Sequence, residues 1–339
     1  MNYLKNYALG FLFLFACNTT AEQSFDKDAM LASVTYTALE SYDRFALSVA
    51  TMQTLSAALQ QSPNPANLEK LRQAWKESTA AWKACELLNF GITKDKNYMF
   101  EINFNEVRPK LIENVLADTS KLDASQLKSL GAAAKGLPSI AYLLFEKQKE
   151  LLETSKNERI MSFLCLLTEN LSQNALALKE EWAKDKEYTK SFVRNENNVS
   201  LNMFANQLLA LSENLATKRM NDFIGQLKDS TKNDGLEKAL NDKQFVISAL
   251  ESIKNVFDGG KGAGFDDYLD FLNAKFTNRN LSTAINEQIE KAKTALQMAD
   301  NEEKAKIAQD ELKKLLILIK TDMFSILSIP VSFTDADGD

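Results

Sequence analysis

The amino-acid sequence predicts an all-α protein built as two helical bundles packed side by side. Three observations carry this. Glycine occurs 11 times and proline 5 times in 339 residues, so turn-makers are few and elements must be long. Apolar residues recur in steps of three and four along most of the chain, the spacing of a helix with one buried face. No segment alternates apolar and polar residues as a half-buried strand would. The length suits two domains of ordinary size. The polar, Asn-rich stretch 186–199 divides the chain into an N-terminal bundle at 28–190 and a C-terminal bundle at 191–339.

The first element begins near Met30. Leu31, Val34, Ala38, Tyr42, Phe45, Val49, Met52, Leu55 and Leu59 fall on one face. Ser62-Pro63-Asn64-Pro65 ends that helix and opens the next, with Asn64 as cap and Pro65 at the first helical position. The second helix carries Leu68, Leu71, Trp75, Trp82 and Leu87 and is expected to run to about Asn89. A looser stretch follows from Gly91 to about Asn103, then a helix over Pro109–Leu116. Asp123 with Gln126 has the spacing of a capping box. Lys135-Gly136-Leu137-Pro138 interrupts the pattern before a helix toward Leu152, and Glu158–Trp182 reads as one long helix. In the second half, helices are expected over Val199–Lys218, Leu236–Phe257, Phe265–Asn273, Thr283–Ala299 and Glu302–Leu327. Asp300 and Glu303 have capping-box spacing before the last. Leu315–Ile319 is the strongest apolar run here, but Lys313, Lys314, Lys320 and Asp322 bracket it, so it reads as a buried helix segment.

Residues 1–16 read as an export signal. Lys5 precedes nine apolar or small residues, Ala8–Ala16 (ALGFLFLFA). As a helix these reach about 14 Å, short of a hydrocarbon core of about 30 Å, so a signal peptide fits better than a membrane span. The run ends in Leu14-Phe15-Ala16-Cys17, which resembles the lipobox of bacterial lipoproteins, with Cys17 as the lipidated residue. Acyl chains on Cys17 would hold the protein at a membrane. Residues 17–27 would be its tether, and Asn18 argues against inner-membrane retention. The expected location is therefore the outer membrane, on its periplasmic or extracellular face. Cys85 and Cys165 could pair in an oxidising compartment; single buried thiols are the preferred reading.

Composition restricts the chemistry. Hydrophobic residues make up 45% and charged residues 25%, as in ordinary globular proteins. The net charge of −6 lacks the basic footprint of a nucleic-acid binder. The chain has no histidine, which removes every His-based triad, dyad or zinc site formed from this chain alone. A metal could be held only by carboxylates, carbonyls or cysteines, a donor set suited to hard cations when it is all oxygen.

Several segments are candidate sites. The loop DGGKGAG at 258–264 lacks the ending and preceding strand of a phosphate loop and reads as a glycine helix stop. Trp75 and Trp82, seven apart, share a helix face and read as core. Glu86 lies four residues beyond Trp82 on that face. A carboxylate on an apolar stripe needs a buried partner, such as Arg159, or a ligand. Asp335, Asp337 and Asp339 crowd the C-terminus. They have the flavour of a calcium loop without its remaining ligands, and read otherwise as a solvated acidic tail or a tail docked on the body.

Taken together, Ala74-Trp75 through Trp82, Glu86 and Phe90-Gly91, then Lys135-Gly136-Leu137-Pro138-Ser139-Ile140-Ala141-Tyr142-Leu143-Leu144-Phe145, then Arg159 through Cys165 to Trp182, resemble the imelysin-like family of exported bacterial proteins. Gly259–Leu269 and the ending Phe333–Asp339 match more weakly. The resemblance covers nearly the whole chain after the signal. It implies two helical bundles and a link either to metallopeptidase activity or to iron uptake, with iron or another divalent cation as cofactor; the site is expected in the cleft where the bundles meet, because interfaces between domains are common pocket locations. The family signature is GxHxxE, with the histidine and glutamate as proposed metal ligands. Here Pro138 and Ala141 stand at those positions.

The resulting expectation is a lipid-anchored binding protein that assists iron or haem uptake without peptidase activity. Its ligand-binding candidates are Glu86, Lys135, Gly136, Pro138, Tyr142 and Arg159, and outer-membrane uptake components are its expected partners. A hydrolase with a carboxylate-only metal site, and a lipoprotein that only docks partners, are the alternatives.

Overall fold

The computed structural model describes residues 24–104, 106–153, 158–229 and 235–332. Cys17 and the terminal aspartates Asp335, Asp337 and Asp339 lie outside these.

The fold begins with two long helices, α1 (Lys27–Gln61) and α2 (Pro65–Lys83). Each is opened by a side-chain cap. Asp26 accepts the Ala29 N–H and Asn64 accepts the Asn67 N–H, each at 2.9 Å. Short helices α3 (Ile92–Asp95), α4 (Tyr98–Ile102), α5 (Pro109–Ala117) and α6 (Ala124–Ser129) wrap one end. Then α7 (Gly136–Glu146), α8 (Gln148–Leu152) and the long α9 (Glu158–Glu181) complete the N-terminal half, with α1 packed against both α2 and α9. The C-terminal half follows α10 (Glu187–Arg194) and contains α11 (Val199–Asn214), α12 (Met220–Lys228), α13 (Gly235–Leu240), α14 (Lys243–Phe257), α15 (Phe265–Phe271), α16 (Leu281–Met298), α17 (Glu302–Ile317) and α18 (Phe324–Leu327). The halves meet where α14 packs on α2 and α13 on α7, and one continuous apolar core runs through both.

That core is anchored by aromatic residues with satisfied polar atoms. Trp75, Trp82 and Trp182 are fully buried. The Phe45 and Trp82 rings lie 5.3 Å apart, and Phe90 meets Trp182 edge-on at 5.5 Å. Trp182 donates its indole N–H to the Thr93 hydroxyl at 3.0 Å, and Tyr42 donates to the Leu88 carbonyl at 3.2 Å. The Tyr42 proton is thereby used, so Thr93 is the donor in their 3.1 Å contact. This run of hydrogen bonds ties α1, the α2–α3 turn and the end of α9 together.

The structure departs from the sequence-based elements where local geometry overrides spacing. Helix α2 stops at Lys83, six residues before the expected Asn89, because the chain tightens into a 3-10 turn at Glu86–Leu88. The stretch expected as loose after Gly91 forms α3 and α4. Residues 186–199 form α10 and a short turn. Asn195, Asn197 and Asn198 there adopt left-handed φ values of 47°, 55° and 60°, which accounts for the asparagines. Asn301, not Asp300, caps α17, accepting the Lys304 N–H at 3.0 Å. A two-residue antiparallel pair, β1 (Lys275–Phe276) with β2 (Arg279–Asn280), is too short to register as periodicity. The α11–α12 and α17–α18 junctions each contain a π-helical turn, at Leu215–Arg219 and Leu318–Met323, that spacing does not distinguish from continuous helix. The loop at 258–264 is a glycine stop. Gly259 has φ +68°, and a Cβ there would sit 2.3 Å from the Ala263 carbonyl carbon. Cys85 and Cys165 are free thiols. Among the described residues, no helix is long and apolar enough to cross a membrane.

Candidate functional site: a cleft between the bundles

A cleft of about 1550 Å³ opens between the two halves. The end of α2 with the following turn, and the start of α7, form one wall. Helices α11 and α12 and the π turn between them form the other. Trp75, Phe90, Phe223 and Phe245 supply apolar lining. The floor is ionic.

Glu86 is the centre of that floor. Its Oε1 takes Lys83 Nζ at 2.8 Å and its Oε2 takes Arg219 Nη2 at 2.5 Å. The Glu86 backbone carbonyl also accepts Gln207 Nε2 from α11 at 3.1 Å. Lys83 and Glu86 come from the N-terminal half; Arg219 and Gln207 come from the C-terminal half. Side-chain exposures of 15%, 8% and 20% for Lys83, Glu86 and Arg219 put all three at the protein interior's edge. Burial alone would push the Glu86 carboxyl up. The Arg219 and Lys83 charges outweigh it and hold the carboxyl below its ordinary range. Burial lowers Lys83, against the attraction of Glu86.

Arg219 reaches Glu86 from the last position of the π turn Leu215–Arg219. That turn is braced from behind. The buried Gln309 of α17 donates to the Ala216 carbonyl at 3.1 Å and to Asn221 Oδ1 at 2.8 Å. A π turn inserted in a helix changes the direction of the residues beyond it, and such turns recur at functional sites.

The expected site residues separate. Glu86 and Pro138 line the cleft. Arg159 does not pair with Glu86, which corrects that expectation. Its Nε and Nη1 donate to the Val115 and Ser120 carbonyls, each at 2.8 Å, and pin the end of α5 and the turn after it against α9. Lys135 is buried in an ion pair with Glu101 at 2.8 Å. Gly136 has φ +71°, and a Cβ there would meet the Ile102 carbonyl oxygen at 2.4 Å, so the end of α4 dictates glycine. Tyr142 donates to Glu113 at 2.6 Å, and burial together with that carboxylate raises its hydroxyl above the ordinary range. None of Lys135, Gly136, Tyr142 and Arg159 is among the residues lining the cleft.

The residues at the GxHxxE positions do not fit a metal. Pro138 offers no donor side chain, and Ala141 is fully buried. Among the described residues, no group of three or more Cys, Asp or Glu side chains is placed to hold an ion. Sequence reasoning missed Lys83, Gln207 and Arg219. Lys83 carries a local signal, since it lies three residues before Glu86 and the two fall within reach in a helical turn. Arg219 lies 133 residues away, and nothing in its neighbourhood announces the contact.

The triad predicts an acid-sensitive fold. A carboxyl held below its ordinary value favours the native state above about pH 4.3, and that contribution disappears as pH falls through the folded-state value. Urea unfolding of the wild type should lose stability on acidification from pH 6, and Glu86→Gln should flatten that loss. Glu86→Ala should cost about 3–5 kcal/mol near neutral pH, because it strands Lys83 and Arg219 without a counter-charge. An unchanged acid profile in Glu86→Gln would contradict the assignment.

A family model described as Imelysin matches residues 38–319. The crystal structure of an imelysin-like protein from Psychrobacter arcticum 273-4 superposes with a TM-score of 0.73 at 17% identity, covering 91% of this chain and 97% of that one. A candidate iron-regulated protein A precursor from Parabacteroides distasonis ATCC 8503 superposes at 0.67 and 14% identity, covering 90% and 97%. Both are likenesses of fold. Among curated proteins, none matches the chain significantly. The family match spans most of the 339 residues and the fold agrees with it, so this chain belongs to the imelysin family.

Proposed function

We propose that this chain is an exported, Cys17-anchored binding protein that uses the cleft between its bundles to hold a ligand during iron or haem acquisition, without peptidase activity. The observation that carries the reading is the cleft itself. It is large, it lies between the two halves where ligand sites commonly form, and its floor is a set of buried charges rather than a catalytic constellation. Metal-assisted hydrolysis requires ligands, an open coordination position and a base. The signature positions supply Pro138 and Ala141, and the chain has no histidine to replace them. The iron clause is supported by the name of the Parabacteroides distasonis neighbour, and export by the precursor status in that name. Both rest on kinship of fold.

Ala210 lies half-buried on the α11 wall of the cleft. Ala210→Trp should weaken binding of a ferric chelate or haem at least tenfold in a titration, with the melting temperature nearly unchanged. Binding indifferent to this filling would place the ligand elsewhere, and chelator-sensitive peptide cleavage by the purified protein would overturn the non-enzymatic reading. For the anchor, Cys17→Ser should move the protein from the detergent-extracted membrane fraction to the soluble fraction. A variant that stays with the membrane would remove Cys17 from the account.

A further inference from the structure

The floor of the cleft does not balance its charge. Two cations, Lys83 and Arg219, share one carboxylate, Glu86. All three side chains are at least four-fifths buried, so water neutralises little of the remaining positive charge. Buried charge is costly unless it is paired. The cleft's other carboxylates, Asp95, Glu106, Glu213, Asp222, Glu237 and Asp242, are exposed or half-exposed, and among the described residues none of them is within ion-pair distance of Lys83 or Arg219. The Arg219 fork commits Nη2 to Glu86, while its Nη1 is buried with no hydrogen-bond partner among the described residues. A buried guanidinium nitrogen without a partner shows that Glu86 satisfies Arg219 only in part.

We propose that Lys83 and Arg219 form an oxyanion-binding subsite on the cleft floor, which receives a carboxylate or phosphate group of the ligand, with Glu86 setting its affinity by competing for the same two cations. This rests on the cleft being the binding site, and it adds the chemistry of the group bound there. Three features support it: the net positive charge of the triad, its place on the lining of the cleft, and its composition from both halves of the protein. The guanidinium supplies a planar fork and the ammonium a point charge, a combination suited to a planar or tetrahedral oxyanion. A ligand anion seated here would contact both bundles at once.

The test is calorimetric titration of the full-length chain, purified in detergent, with citrate and with inorganic phosphate at low salt. Glu86→Gln and Lys83→Gln are compared with the wild type. Glu86→Gln removes the competing charge and should tighten anion binding about tenfold; Lys83→Gln removes an attracting charge and should weaken it about tenfold. Affinity in the wild type should fall as salt rises. Opposite signs in the two variants cannot come from general destabilisation, which would move both the same way, and melting curves recorded in parallel verify that both are folded. Citrate bound more tightly than phosphate assigns a carboxylate ligand, and the reverse assigns a phosphorylated one. Absence of binding by either anion, or equal affinities in the two variants, overturns the proposal. If a ferric chelate or haem still binds in an Ala210→Trp-sensitive manner while both charge variants leave it unchanged, the cleft reading stands and the oxyanion subsite falls alone.

Discussion

A single carboxylate shared by two cations organises this molecule. Glu86 sits just after α2, is buried, and is met by Lys83 from its own turn and Arg219 from the other half. The arrangement is useful only as a set. Glu86 alone would be an unpaired charge in an apolar wall, and each cation alone would be worse placed than in water. Pairing across the bundles therefore couples the position of α2 to that of the π turn at Leu215–Arg219.

The rest of the fold holds those two positions still. On the N-terminal side, the Trp182–Thr93–Tyr42–Leu88 hydrogen-bond chain fixes the segment that follows Glu86. Gly136 lets the start of α7 approach the end of α4, and the Trp75 indole then donates to the Leu137 carbonyl at 2.9 Å, shaping the wall beside the triad. On the C-terminal side, Gln309 braces the π turn from within the bundle. Farther out, Asn206 of α11 receives the last described residues, bonding the Pro330 carbonyl and the Ser332 N–H at 3.0 and 2.8 Å. The segment that resembles the family signature thus contributes architecture rather than ligands: Lys135 in an ion pair, Gly136 in a close approach, Ala141 in the core.

Helical character, the buried tryptophans and the glycine stop were legible in the sequence because they are local. Periodicity, capping residues and glycine all act within a few positions. Glu86 was legible as an anomaly, a carboxylate on an apolar stripe, but its partner was not. Arg159 and Arg219 look alike in sequence, and only the tertiary fold decides which one reaches Glu86. The polar stretch 186–199 read as a boundary between the halves; its asparagines at 195, 197 and 198 take left-handed φ values, a role that polarity alone does not reveal. The π turn escaped notice because one extra residue in a helical turn leaves the apolar spacing almost unchanged. Chemistry was legible by exclusion, through the missing histidines and the Pro138 and Ala141 replacements. The two-to-one meeting of Lys83 and Arg219 with Glu86 could not be seen before the two halves were brought together.

Glu86 and Arg219 form a pair that links the halves, and a double-mutant cycle on Glu86→Gln and Arg219→Met, read by urea unfolding, tests this most directly. A coupling energy of about 1.5–3 kcal/mol is expected if the contact is made and shielded from water. Additive effects, with coupling near zero, would show that the two side chains contribute independently and would remove the interaction on which the cleft is built.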